Sequence, residues 1–218
     1  MQRRRFIMEW KQLPLGPLQT NAYVLFDENK DAVIFDPGGE GTKLNTLLEA
    51  EGLTPKAILL THAHFDHIGA VDDVREFWNV PVYIHHLEKD WLPDATKNGS
   101  ALFLGNDAIT AREADFLIKE EGKLDIGTFS FEVFETPGHS PGSVSYYFKE
   151  AGIVFSGDVL FAGGIGRTDL PGGSYEVLMD SINNKLMELP EETVVASGHG
   201  PVTTVSSEMD SNPFLRGI

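Results

Sequence analysis

Cysteine is absent from all 218 residues. This excludes a disulfide framework, a thiolate nucleophile and any zinc or iron–sulfur site ligated by cysteine. Basic side chains are scarce. Lys and Arg number 17 against 33 Asp and Glu, a formal net charge of −16. Such a field repels phosphodiesters and weighs against nucleic acid as a partner, while leaving room for a compact substrate at a locally positive site. No uninterrupted apolar run approaches the roughly 18 residues of a membrane span. The first ten residues carry Arg3, Arg4 and Arg5 and then turn polar at Glu9, with no apolar signal core. These absences predict a soluble cytoplasmic protein without a membrane partner, its three arginines a solvated end.

What is present is an alternation of short apolar runs and helical stretches. Asn21–Phe26 and Ala32–Phe35 flank the polar Asp27–Asp31 and read as a hairpin, closed off by Asp36-Pro37-Gly38-Gly39. Thr42–Ala50 has helical spacing at Leu44, Leu47 and Leu48, and Gly52 stops it. Ala57–Leu60 reads as a buried strand, Ile68–Phe77 as a helix and Pro81–Ile84 as a strand. Asp90–Ala108 has weak periodicity and reads as an irregular excursion. Strands return at Phe129–Phe134, Val144–Phe148, Ile153–Phe155 and Thr193–Ala196, with a helix over about Tyr175–Leu189. The pattern predicts an α/β protein in which two sheets pack together with helices outside, in one domain spanning residues 1–218.

The chemistry concentrates at strand ends. Thr61-His62-Ala63-His64-Phe65-Asp66-His67 follows a strand and opens a helix. Imidazole and carboxylate suit zinc, iron and related ions. His62 and His64, two apart in an extended stretch, point the same way, and Asp66 and His67 at the turn can face a second ion. His139, Asp158 and His199 recur after later apolar runs among small residues that let a ligand approach the backbone. Five of the seven histidines thus fall in one cluster. His85 and His86 end the strand at 81–84 and read as a half-buried or solvent-facing pair, with a substrate-lining role as the alternative. Asp36 is either a simple turn residue or an acceptor that orients a ligand histidine. Ser140, Ser143 and Ser156 read as turn or cap residues, Tyr146 and Tyr147 as alternately buried strand residues, and Gly163–Gly173 as a substrate-facing loop carrying Arg167.

THAHFDH, TPGHS, FSGD and SGHG, in this order, resemble the metallo-β-lactamase superfamily. The resemblance covers nearly the whole chain. It implies an αββα sandwich of two mixed sheets and a binuclear centre, with His62, His64 and His139 on one metal, Asp66, His67 and His199 on the other, and Asp158 bridging. It also implies a hydrolase using a metal-bound hydroxide, with Asp66 and Asp158 orienting the nucleophile. The cofactors implied are two divalent ions, zinc first, iron or manganese next. Within the superfamily the chain is most similar to short glyoxalase II-like thioester hydrolases, which implies a small-molecule thioester substrate and a role for Arg167 in holding its thiol carrier. The chain departs from glyoxalase II at Asp169, where a tyrosine is expected, and at Gly200-Pro201 after His199. It also ends at Ile218, short of the glyoxalase II C-terminal helical domain. Gly166-Arg167-Thr168-Asp169 resembles mononuclear iron persulfide dioxygenases as well. That oxidoreductase chemistry, lactone hydrolysis on the same scaffold and a non-catalytic metal-binding module are the alternatives.

Overall fold

Period-two alternation of side chains between two apolar faces organises the first third of the chain in the computed structural model, which describes residues 8–215. The Arg3–Arg5 end lies outside the described residues. β1 (Met8–Leu15), β2 (Thr20–Asp27) and β3 (Asp31–Phe35) form an antiparallel meander. Along β2 and β3, Val24 and Ile34 join one apolar cluster, while Tyr23, Leu25, Val33 and Phe35 join another. Both faces of this sheet are therefore apolar and both need cover. α1 (Gly41–Ala50), β4 (Thr54–Leu59), α2 (Phe65–Ile68), α3 (Val71–Trp78), β5 (Val82–His85), α4 (Ser100–Leu104) and β6 (Phe116–Ile118) complete the first half. The sheet runs β1-β2-β3-β4-β5-β6, parallel from β3 onward. Leu44 and Leu48 of α1 and Val71 and Val74 of α3 cover its outer face.

The second sheet holds β7 (Gly122–Ile126), β8 (Phe129–Glu135), β9 (Val144–Phe148) and β10 (Ile153–Gly157). A two-stranded ribbon, β11 (Leu160–Phe161) and β12 (Gly164–Ile165), follows, then α5 (Tyr175–Ser181), β13 (Val194–Ser197), β14 (Thr203–Thr204) and α6 (Val205–Ser211). Its order is β14-β13-β10-β9-β8-β7, with β10 and β13 parallel. The inner faces meet in an aromatic core, where Phe35 stacks on Phe155 with centroids 3.9 Å apart. α5 covers the outer face through Leu178, and Ile182 and Leu186 follow in the same cluster. Helix, sheet, sheet, helix is the layering predicted.

Several expectations need correction. The single helix over 68–77 is two helices. Ala70 breaks the helical backbone with φ −117 and donates its N–H to Pro37 O, and a side chain at Gly69 would strike Gly38 O. The excursion at 90–108 contains α4. The helix over 175–189 leaves the α form after Ser181 for a π turn over Ile182–Leu186, its start capped by Ser174. β1, β6, β7 and α6 are additional.

Hydrogen bonds between the sheets fix one edge. Val144 N–H donates to Thr61 O at 2.9 Å and Asn21 N–H to Gly198 O at 2.7 Å. The buried hydroxyls of Tyr23 and Tyr146 donate to Ser197 O and Leu60 O, both at 2.8 Å. At this edge β3, β4, β10 and β13 all end, and ligands bind beyond such carboxyl ends in open α/β sheets.

Candidate metal centre

The loop leaving β4 carries His62 and His64 extended, and α2 then starts, so Asp66 and His67 turn toward the same space. His139 comes from the turn between β8 and β9, Asp158 from the end of β10 and His199 from the end of β13. The local backbone is built for crowding. Gly157 has φ 53, and a Cβ there would lie 2.2 Å from Thr61 Oγ1. At Gly198 a Cβ would lie 2.1 Å from Asp158 Oδ1 and 2.7 Å from His67 Cε1, so the cradle closes only around glycine.

All seven predicted residues converge. His62, His64 and His139 form one group of three whose nitrogens lie within 4.8 Å of one another, and Asp66, His67 and His199 form a second. His64 Nδ1 faces His139 Nε2 at 2.9 Å. His199 Nε2 lies 3.2 Å from Asp66 Oδ2, and His67 Nε2 lies 3.6 Å from the same atom. Asp158 stands between the groups, 3.4 Å from His67 Nε2, 3.5 Å from His199 Nε2 and 3.7 Å from His139 Nε2. Bonds of about 2.0–2.1 Å to a tetrahedral ion separate neighbouring ligand atoms by roughly 3.3 Å. The observed spacings bracket that value. His62 Nε2, His67 Nε2 and Asp158 Oδ1 are buried with no hydrogen-bond partner, an arrangement costly unless a cation satisfies them. Donor type, spacing and orphaned atoms all fit divalent cations.

The outward nitrogens fix the tautomers. His67 Nδ1–H donates to Asp36 Oδ2 at 3.0 Å, and His139 Nδ1–H donates to Arg167 O at 2.8 Å. Thr61 Oγ1 donates to Asp36 Oδ2 at 2.6 Å and so accepts from His62 Nδ1 at 3.1 Å. In its neutral form each of these rings has a lone pair pointing inward. Asp36 is thus more than a turn. It orients His67 directly and His62 through Thr61, from a left-handed backbone with φ 45 that only the surrounding contacts sustain. A third close group, Asp36 with His62 and His67, reflects this outer bracing, because Asp36 already accepts from Thr61 and His67.

Charge divides the two groups. Burial, reinforced by neighbouring imidazoles, holds His62 well below the ordinary histidine range and His64 down to about 3. Burial also opposes the charge on His67, but Asp66 and Asp158 outweigh it and push His67 well above that range. His199 rises to about 9, its burial outweighed by Asp158 and Asp66. Burial would raise both carboxyls, yet His67 and His199 hold Asp66 down to about 2 and Asp158 well below the carboxylate range.

Two bracing residues escaped the sequence reading. Thr20 Oγ1 donates to Asp66 Oδ2 at 2.8 Å. Glu88, fully buried just beyond β5, accepts from Ala63 N at 2.7 Å, Ser140 Oγ at 2.5 Å and Gly142 N at 2.8 Å, and burial pushes its carboxyl up against those bonds. No local signal marks it, since HLEKD looks like a solvated stretch. Ser140 sits in Gly138-His139-Ser140-Pro141-Gly142, the spacing of a nucleophile elbow, but its hydroxyl is spent on Glu88. Tyr146 and Tyr147 alternate between the inner and outer cores as expected, outside the cleft. His85 contacts Glu135 at 3.2 Å and His86 contacts Ile118 O at 3.3 Å, and neither lines the cleft.

The centre opens at the floor of a cleft of about 490 Å³ whose walls include Leu18, Phe65, Phe103, Phe161 and Arg167. The Arg167 guanidinium lies 5.9 Å from the Phe103 ring and forms a two-point pair with Asp169, at 2.7 and 2.8 Å.

A family model described as the metallo-beta-lactamase superfamily matches residues 15–199. The chain is 60% identical to a probable metallo-hydrolase, YqgX, of Bacillus subtilis, over 97% of this chain and 99% of that one. It is 38% identical to the hydroxyacylglutathione hydrolase GloC of Haemophilus influenzae, over 93% and 96% of the two chains. Among solved structures, the BLEG-1 B3 metallo-beta-lactamase superposes with TM-score 0.94 at 60% identity, covering 96% of this chain and all of that one. TTHA1623 in a di-iron-bound form superposes with TM-score 0.82 at 43% identity, covering 94% and 100%. The chain belongs to the metallo-beta-lactamase superfamily.

Proposed function

We propose that this member of the metallo-beta-lactamase superfamily is a metal-dependent hydrolase of small-molecule thioesters, of the hydroxyacylglutathione hydrolase type, acting in the cytoplasm. The observation that carries the reading is the convergence of unpartnered imidazole and carboxylate atoms on the floor of one cleft. In this reading His62, His64 and His139 hold one ion, Asp66, His67 and His199 hold a second, and Asp158 bridges. Zinc suits the nitrogen and oxygen donors, and the di-iron form of a similar protein keeps iron in view beside manganese. Divalent cations so held polarise a carbonyl and make water nucleophilic near neutral pH.

The chain's own residues supply the rest. Asp66 and Asp158 stay ionised, so each presents acceptor oxygens that orient a water toward the carbonyl carbon. Water adds, the C–S bond breaks, the thiolate leaves with the electron pair, and the acyl group departs as a carboxylate while both protons of the water pass to solvent, from which the thiolate recovers one. With the imidazoles engaged as ligands, the polar donors left in the cleft lining are Asn98 and Arg167, and neither is a general acid. A thiolate leaving group, with a pKa of about 8.5, needs none. The likeness to GloC supports the same class.

The test is elemental analysis together with turnover of an S-lactoyl thioester, with and without chelator. Two ions per chain and oxygen-independent, chelator-sensitive hydrolysis are expected. One iron per chain with oxygen uptake on a persulfide would replace this reading with the oxidoreductase one. Loading should also depend on pH. His199 and His67 are held protonated at neutral pH, so an ion between them must displace protons. Affinity at that group should rise about tenfold per pH unit for each proton displaced, the His199 contribution levelling near pH 9. His62 and His64 are already neutral, so these two residues should add no pH dependence to loading of their group between about pH 6 and 8. Zinc titrations of the metal-free protein across that range check both slopes.

In this reading Arg167 touches an anionic thiol carrier, but Asp169 already matches its charge at the surface. Arg167→Ala is expected to raise KM for an anionic thioester about threefold to tenfold with kcat nearly unchanged, and Asp169→Asn to lower that KM. An unchanged KM in both variants would place the carrier elsewhere.

A further inference from the structure

A second cavity, of about 260 Å³, opens beside the metal cleft. The two share Leu18, Phe65, Asp66 and Phe103, so they meet at one ligand carboxylate. Beyond that junction the walls are Leu15, Pro17, Leu104 and Ile109. Asp66 is the one charged residue in this lobe, and its Oδ2 is taken by Thr20. Leu18, Phe103 and Leu104 remain 53%, 47% and 36% exposed, an unburied apolar rim next to a reactive centre.

We infer that this lobe is an acyl-chain subsite, and that the preferred substrates are thioesters of medium-chain alkyl acids. The inference rests on the thioesterase reading and adds the side of the carbonyl that the protein grips. The two substituents of a thioester carbonyl diverge from the reacting carbon, and the two lobes diverge from the floor of the cleft. The lobe bearing Arg167 has an exposed cation, which suits an ionised carrier. The other lobe offers no cation, and its polar side chains are the Asp66 carboxylate and the Thr20 hydroxyl bonded to it, in a protein of net charge −16, so an anionic carrier is excluded there. An alkyl chain fits, since it loses hydration and leaves no polar group unpaired. At roughly 30 Å³ per heavy atom, the lobe holds about eight. The other candidate occupant, the same face of a second copy, is kept as an outcome of the test.

The test uses the metal-loaded protein and S-acyl thioesters of N-acetylcysteamine carrying acetyl, butanoyl, hexanoyl and octanoyl chains. A fully buried methylene is worth about fourfold. With partial burial, kcat/KM should rise on the order of a hundredfold from acetyl to octanoyl. Leu104→Glu, with Leu104→Asn as the milder variant, should reduce the octanoyl-to-acetyl ratio to about fivefold or less. The ratio is internal to each variant and does not depend on how much protein is active. A flat series in the parent protein, with acetyl thioester turned over, overturns the subsite and leaves the thioesterase reading standing. If no thioester of any length is cleaved, that reading falls, and calorimetric binding of n-octanoate against acetate decides the lobe. Tighter octanoate binding, lost in Leu104→Glu, upholds it, and equal binding ends it. If Leu104→Glu changes the sedimenting species and leaves the ratio intact, the face is a contact between copies and the inference is wrong.

Discussion

Asp158→Ala is expected to lower kcat/KM on the order of a thousandfold or more and to reduce bound metal below two ions per chain, while the sandwich still folds. Asp158 faces imidazoles of both groups from the cleft side. Its carboxylate lies 3.4 and 3.5 Å from the imidazoles of His67 and His199 and 3.7 Å from that of His139. Removing it takes away a formal negative charge and leaves His67 Nε2 without an anionic neighbour on that side. The triad His62, His64 and His139 keeps its outward bracing through Thr61 and Arg167, so one ion should be retained. The fold has little reason to fail. Gly198 N–H still donates to Gly157 O at 2.8 Å, and Val159 and Leu160 stay buried in the outer core. Asp158→Asn separates charge from shape, because it keeps the volume and loses the anion. Metal content, thermal melting and turnover read the three consequences independently. Wild-type turnover in Asp158→Ala would remove the bridging role.

Much of this site was legible because its residues end strands. Apolar runs at 57–60, 153–155 and 193–196 each stop at polar or glycine-rich segments, and a chain that must turn at a sheet edge presents those residues to solvent or to a ligand. The layering was legible for a similar reason. Val144–Phe148 and Ile153–Phe155 are apolar on both faces, so cover on both sides was required. Edge strands were not legible. β1 keeps Glu9, Lys11 and Gln12 among its apolar residues and pairs on one side, and β6 is three residues long. The division of the 68–77 helix was hidden because its cause is distant, in the carbonyls of Pro37 and Gly38. The pairing of Arg167 with Asp169 was within reach, because opposite charges two residues apart in an exposed loop can close a two-point pair. Glu88 could not be found at all, because its burial is created by loops 25 and 52 residues away.

That buried carboxylate supports the second large effect. Glu88→Ala is expected to destabilise the protein by about 3–5 kcal/mol and, in protein still folded, to weaken metal binding at the histidine triad about tenfold to a hundredfold. Glu88 accepts from Ala63 N–H, which lies between His62 and His64, and from Ser140 and Gly142, which flank the turn of His139. One carboxylate therefore joins the two loops that carry His62, His64 and His139, the proposed ligands of one ion. Truncation leaves three buried donors without an acceptor, each costing about 1–3 kcal/mol, and opens space where Gly142 now packs against the Glu88 side chain. Glu88→Gln sharpens the argument. The amide keeps the volume and one acceptor oxygen, enough for Ser140 and Gly142 at Oε1, but it turns an N–H₂ group toward the Ala63 N–H that Oε2 now accepts. Donor then faces donor beside His62 and His64. A merely structural role predicts that Glu88→Gln, once folded, binds zinc as the parent does. A positioning role predicts a weakened triad with the Asp66, His67 and His199 group little changed. Zinc titration of Glu88→Gln below its melting temperature decides between them, since the positioning role requires the loss to fall on the triad.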